Sequence, residues 1–275
     1  MPGAERSGAR SGPAVHNGAI MPTDVRCRVE TDEASEVVRL TGVLDRSGVD
    51  VVRDGLLARL CGRPGPVVAD LTGLRVADPV AGGVFAEVRR EIRDWPAADL
   101  LLCDPTGAVE GVPAWPTLAG ARAGLAATPP AAVVGADLPP VVGAARQARQ
   151  LVAEGCDRWN LHELVEPACI AVTEMVNNVV AHAHTTMTVR LAPRNDTLHL
   201  AVRDHSSRQP TFTGSAPLDT AGGRGLLLID TVARSWGSSR VPDGKVVWCV
   251  LHADDEAAAR RPDPALPSPD VPLSP

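Results

Sequence analysis

Glu174, Asn178 and His182 recur every four residues within "EMVNNVVAHA" (174–183), a stretch otherwise made of Met, Val and Ala. On a helix that spacing keeps a carboxylate, a carboxamide and an imidazole on one slowly drifting side, with Val172, Met175, Val176, Val179 and Val180 covering the rest. Such groups are costly to bury without partners. An Asn oxygen suits Mg²⁺, a hard cation, and a carboxylate one turn away can orient or deprotonate an attacking water or hydroxyl. Two further features follow in order. Asp204 ends the strand-like run "LHLAVRD", and "GGRG" (222–225) opens a helical pattern after the long polar segment 205–222. A glycine-containing helix start, here Gly223, Arg224 and Gly225, favours phosphate through its free N–H groups and dipole. A carboxylate at Asp204 can accept from adenine's exocyclic amine, whereas guanine presents an oxygen there. Singly each signal is weak. Their order, with a lid-length segment between them, points to a Mg-nucleotide site.

The elements that must position these groups can be read along the 275-residue chain, which is 44% apolar. Strands are expected over 24–30 and 36–43 around the "TDEAS" turn, over 66–71 and over 99–104. A helix with Ser47 as cap and Val51, Leu56, Leu57 and Leu60 as apolar stripe ends at Gly62; another spans 79–94 behind Asp78 and Pro79. This β-β-α-β-α-β order predicts an α/β domain over 24–126. The Pro/Ala-rich segment 127–140 reads as a linker. In the second domain, 141–252, helices are expected over 141–157 and 162–184, then "TMTVRLAP" and "TLHLAVRD" as paired strands. The helix "GRGLLLIDTVARSWG" and two strands around "PDG" (242–244) close it. Residues 1–23 and the Pro-rich 253–275 read as disordered tails.

Net charge is −6, so nucleic acid and anionic membranes are not expected partners. Lys245 is the only lysine among 27 basic residues. The six cysteines show no metal-ligand spacing and are expected to be buried free thiols. No apolar run is expected to be long enough for a membrane span, the first 20 residues show no signal-peptide core, and a cytoplasmic location is expected.

Residues 136–252 resemble the GHKL ATP-binding fold, and specifically the small anti-sigma-factor serine kinases of bacterial partner-switching systems. "EMVNNVVAHA" resembles their N box, "VRDHSS" the adenine-binding D box, "GRGLLLID" the glycine-rich box after the lid, and "PDGKVVWCVL" the closing hairpin. The resemblance implies Glu174 as catalytic base, Asn178 as Mg²⁺ ligand, Asp204 as adenine reader, and Gly223 and Gly225 flanking the phosphates. Arg224 is a candidate phosphate contact. The D box departs from the family's DxGxG, reading "DHSSR". Residues 24–126 resemble, more weakly, a STAS domain, the fold of anti-sigma-factor antagonists. Where antagonists carry Asp-Ser-Ser-Gly this chain has Asp78-Pro79-Val80-Ala81, so Val80 offers no hydroxyl for phosphorylation. "HELVEP" (162–167) mimics a histidine-kinase phosphoacceptor box but stands too close to Glu174 to be one. The expected function is therefore a serine kinase moving the γ-phosphoryl group of ATP to an antagonist protein, or sequestering a sigma factor, with a homodimer left open. The alternative is a non-catalytic ATP- or protein-binding regulator whose STAS half is a built-in cover.

Overall fold

A computed structural model describes residues 27–32, 35–127, 132–208 and 224–253. Residues 1–23 and 254–275 of the expected tails, residues 24–26 of the first expected strand, residues 128–131 of the linker and residues 209–223 of the lid segment lie outside these described residues. The first five strands are β1 (Arg28–Thr31), β2 (Val37–Leu44), β3 (Val67–Val76), β4 (Leu100–Cys103) and β5 (Ala114–Trp115), in the sheet order β1-β2-β3-β4-β5. β1 and β2 are antiparallel and the remaining pairs are parallel. Parallel neighbours need crossovers, supplied by α1 (Val49–Gly62), by α2 (Pro79–Gly82) with α3 (Val84–Glu91), and by the loop into β5.

The expected element order holds, with local corrections. Asp45, not Ser47, opens the turn before α1: its Oδ1 accepts from the Ser47 amide at 2.9 Å and the Ser47 hydroxyl at 2.7 Å. Val51 is 48% exposed, and Val52 takes its place in the core. The expected helix over 79–94 is divided at Gly83, which ends α2 and begins α3. Asp78 does cap α2, accepting from the Val80 amide at 2.9 Å. β5 and α4 (Leu118–Ala127) were not anticipated; Gly124 of α4 lies under the Trp115 indole, where a Cβ would collide.

The second sheet is fully antiparallel, in the order β6-β7-β8-β10-β9, with β6 (Val134–Leu138), β7 (Met187–Arg194), β8 (Thr197–Asp204), β9 (Ser235–Val241) and β10 (Gly244–His252). β6 corrects the expected linker: this edge strand pairs with β7, so the sheet begins within 127–140. α5 (Ala144–Arg158), α6 (Val165–Asn178) and α7 (Arg224–Val232) form one layer over the sheet. The last helix is shorter than expected, because Trp236 belongs to β9. The helical run His162–Ala183 is long and apolar enough to cross a membrane by length and composition, contrary to the expectation from sequence. In this structure it is a core helix, with Leu164, Ala168, Val172, Met175 and Val176 buried against α5 and the sheet.

Period-2 alternation divides β8, β9 and β10 of this sheet between two cores. Leu198, Leu200 and Val202 of β8 face the helices, whereas Ala201, with Val241 and Val246, joins the core of the N-terminal half. The N-terminal half therefore covers the outer face of the second sheet, opposite α6. On that face Arg190 donates to the carbonyls of Leu60 at 3.5 Å and Gly62 at 3.1 Å, satisfying the C-terminal end of α1. Arg194 does the same beyond α3, reaching the Arg93 carbonyl at 2.6 Å.

His199 sits in this junction, 4% exposed, with Nδ1 3.0 Å from the Asp94 carbonyl oxygen. That carbonyl requires Nδ1 to be the donor. Burial holds the His199 pKa below its ordinary value, outweighing the Asp94 carbonyl. As pH falls below about 6.5 the unfolded chain takes up the proton before the folded one, so stability is present above that pH and lost below it. Urea unfolding at about pH 5.5 should thus show a lower midpoint than at about pH 7.5, and His199→Gln should shrink the difference. An identical pH dependence in both proteins would show that His199 is not the titrating group.

Candidate functional site

α6 presents Glu174 and Asn178 half-buried, next to buried Val172, Met175 and Val176. The four-residue rhythm stops there. Residues Val179–Ala183 form a π-turn, closed by the His184 amide on the Val179 carbonyl at 2.9 Å, and His184 adopts a left-handed φ of 54°. The wider turn leaves His182 exposed. His162 is exposed too, in the turn that leads into α6.

α7 closes on Glu174 from the other side. A Cβ placed on Gly225 would lie 2.7 Å from Glu174 Oε2, so any larger residue there would push the carboxylate aside. Two of the three predicted boxes thereby meet: the N-box carboxylate lies against the first turn of the glycine-rich helix. Arg224 begins α7, and Gly223 lies outside the described residues. Leu226 and Ile229 hold α7 in the same core as Met175 and Val176.

Asp204 ends β8 on the helix-facing side and is 1% exposed. It pairs directly across the ladder with Lys245 of β10, which is 7% exposed. Lys245 Nζ lies 2.9 Å from Asp204 Oδ1 and 2.8 Å from Oδ2, and Oδ1 also accepts from the Ser206 amide at 2.8 Å. Asp204 is thus turn former and ion-pair partner at once, and Oδ2 keeps most of the free acceptor capacity. Gly244 makes the pairing possible, since a Cβ there would collide with the Asp204 carbonyl, and its φ is +153°. Sequence reasoning missed Lys245 as a site residue. The available signal was its being the one lysine, placed within an apolar strand pattern.

The donors present fit a Mg-nucleotide at the phosphate end: an amide oxygen, a carboxylate, and a glycine that lets backbone approach closely. Among the described residues no group of three or more His, Cys, Asp or Glu side chains forms a metal cluster, so any Mg²⁺ would be shared with phosphates and water. The six cysteines are free, and only Cys169 is not buried. Burial pushes the thiols of Cys61 and Cys249 up to about 12 and that of Cys156 to about 11, which removes them as nucleophiles at neutral pH.

Comparison with known families adds the class. Residues 138–251 match the family described as histidine kinase-like ATPase domain, a span that coincides with the second sheet and its helices from the end of β6 to β10. The match supports a GHKL-like ATPase domain over these residues, and with it ATP binding; the N-terminal half lies outside the match. No curated protein matches the chain.

The ion pair generates a direct expectation. Removing one member of a buried pair leaves an uncompensated charge, at a cost of about 3–5 kcal/mol, whereas replacing both by apolar groups is about neutral. Lys245→Met should lose stability on that scale in urea titration, and Lys245→Met with Asp204→Leu should recover most of it. If Lys245→Met costs less than about 1 kcal/mol, Asp204 is not buried against Lys245 in solution.

Proposed function

We propose that this chain is an ATP-binding, cytoplasmic partner-switching regulator of the anti-sigma-factor serine kinase type, with a STAS-like N-terminal half. One observation carries the reading: Glu174 lies directly against Gly225, with Asn178 one helical turn further on. In this reading the Asn178 amide oxygen holds Mg²⁺, which supplies charge neutralisation on the phosphates. The first N–H groups of α7 receive phosphate oxygens. Glu174 accepts the proton of an incoming serine hydroxyl, and Asp204 reads the base amine. The acceptor is a serine on a separate antagonist protein, and a sigma factor is the second partner class.

The N-terminal half supports docking more than switching. Val80, at the start of α2, is 72% exposed where antagonists carry their serine, and it has no hydroxyl. The expected cover lies on the outer face of the second sheet, so it masks strand surface rather than the side that carries Glu174 and Asp204. A second reading, a non-catalytic binder, is favoured by Lys245: its ammonium already occupies the carboxylate that would read the base.

The two readings separate in one experiment. With ATP labelled on the γ-phosphate and candidate antagonists, Glu174→Ala should keep Mg-ATP affinity and lower serine phosphorylation by about 10²–10⁴-fold, because a base acts in the transition state. Asn178→Ala should weaken Mg-ATP binding itself. Wild-type protein that binds ATP but labels no antagonist supports the binder, and loss of ATP binding in Glu174→Ala makes that carboxylate structural.

A further inference from the structure

On the outer-face side of the second sheet, α3, α4, residues 64–66 and the β7–β8 hairpin enclose an open cleft of about 1200 Å³. Five arginines line it, Arg89, Arg90, Arg93, Arg122 and Arg194, against two acids, Glu36 and Asp99. Two of the five have structural duties: Arg89 Nε lies 3.0 Å from Asp99 Oδ1, and Arg194 Nη1 donates to the Arg93 carbonyl at 2.6 Å. Arg90, Arg93 and Arg122 are exposed, and among the described residues no hydrogen bond or ion pair engages their guanidinium groups. In a chain of net charge −6 this concentration of unpaired positive charge is local and concave.

We propose that this cleft is a binding site for a compact small molecule carrying two or more phosphate groups. Guanidinium forks match phosphate oxygens in pairs, and three of them from separate turns of chain suit several phosphates rather than one. Low-dielectric walls such as Pro66, Leu125 and Pro193 strengthen the attraction and offer apolar surface to the rest of the ligand. An extended polyanion is a poor fit, because beyond the cleft it would meet a predominantly acidic protein. The ligand would contact α3 and α4 from one half and the β7–β8 hairpin from the other, so occupancy fastens the two halves together. The proposal does not depend on the nucleotide-site reading, since the cleft lies on the opposite side of the sheet from α6.

The test uses the full chain and inorganic tripolyphosphate, followed by calorimetry and thermal unfolding. Wild-type protein should bind it saturably with a raised melting temperature, because the ligand binds only the folded chain. The variant Arg90→Gln/Arg93→Gln/Arg122→Gln, changed only at exposed positions, should bind at least about tenfold more weakly. Asn178→Ala should bind as wild type does, which separates this cleft from the ATPase site. Unchanged affinity in the triple variant, loss of binding in Asn178→Ala instead, or no saturable binding by wild type would each overturn the proposal. Tighter binding of an acidic peptide than of tripolyphosphate, through the same arginines, would overturn it in favour of a protein partner.

Discussion

Both faces of the second sheet are buried, and this constraint organises the rest of the molecule. A sheet covered on one side can place any polar residue on its open face. β8 and β10 cannot, because alternate residues enter different cores, and the outward arginines of β7 face the N-terminal half. Each polar group on them must therefore find a partner on its own side. On the outer side the partners are backbone carbonyls of the N-terminal half, which receive Arg190, Arg194 and His199. On the helix side the partner of Asp204 is Lys245, opposite it in the ladder. A one-residue slip of β8 would move His199 and Asp204 to the opposite faces and separate both from their partners.

That division explains which parts were legible in the sequence. β8 runs over Thr197–Asp204, the segment "TLHLAVRD" itself, because its alternation and terminal Asp are local signals. α6 is equally plain in its apolar spacing. β6 was concealed by flanking prolines and by its place at a sheet edge, where pairing with β7 rather than composition makes it a strand. Trp236 was read as helix because α7 and β9 are separated only by Ala233 and Arg234, with no Gly or Pro to mark the change. The π-turn at Val179–Ala183 leaves no pattern distinct from an α-helix, so the change of helix type beyond Asn178 is not legible. The closeness of Glu174 and Gly225 is long-range and no local pattern announces it. The junction was illegible, since nothing local in "VRLAPR" says that its arginines cap helices far away in the chain.

The Asp204–Lys245 pair would link fold and the proposed function. Its two charges are taken out of water, and mutual attraction with the Ser206 amide offsets that cost only while the geometry is kept. In the proposed reading, a base entering beside Asp204 would share a carboxylate that is already held, so nucleotide affinity and local stability would draw on the same groups. In this respect the site differs from one in which glycines follow the aspartate and leave it open.

Because Lys245 is the only lysine, the pair can be observed directly. Protein labelled with ¹⁵N-lysine has one Nζ resonance, and it reports the surroundings of Asp204 without interference. The account predicts that Mg-ATP shifts this resonance saturably, as the adenine amine joins Lys245 at the carboxylate, and that tripolyphosphate leaves it in place. An Nζ resonance unmoved by Mg-ATP at concentrations that saturate binding would contradict the assignment of Asp204 as the base-reading residue.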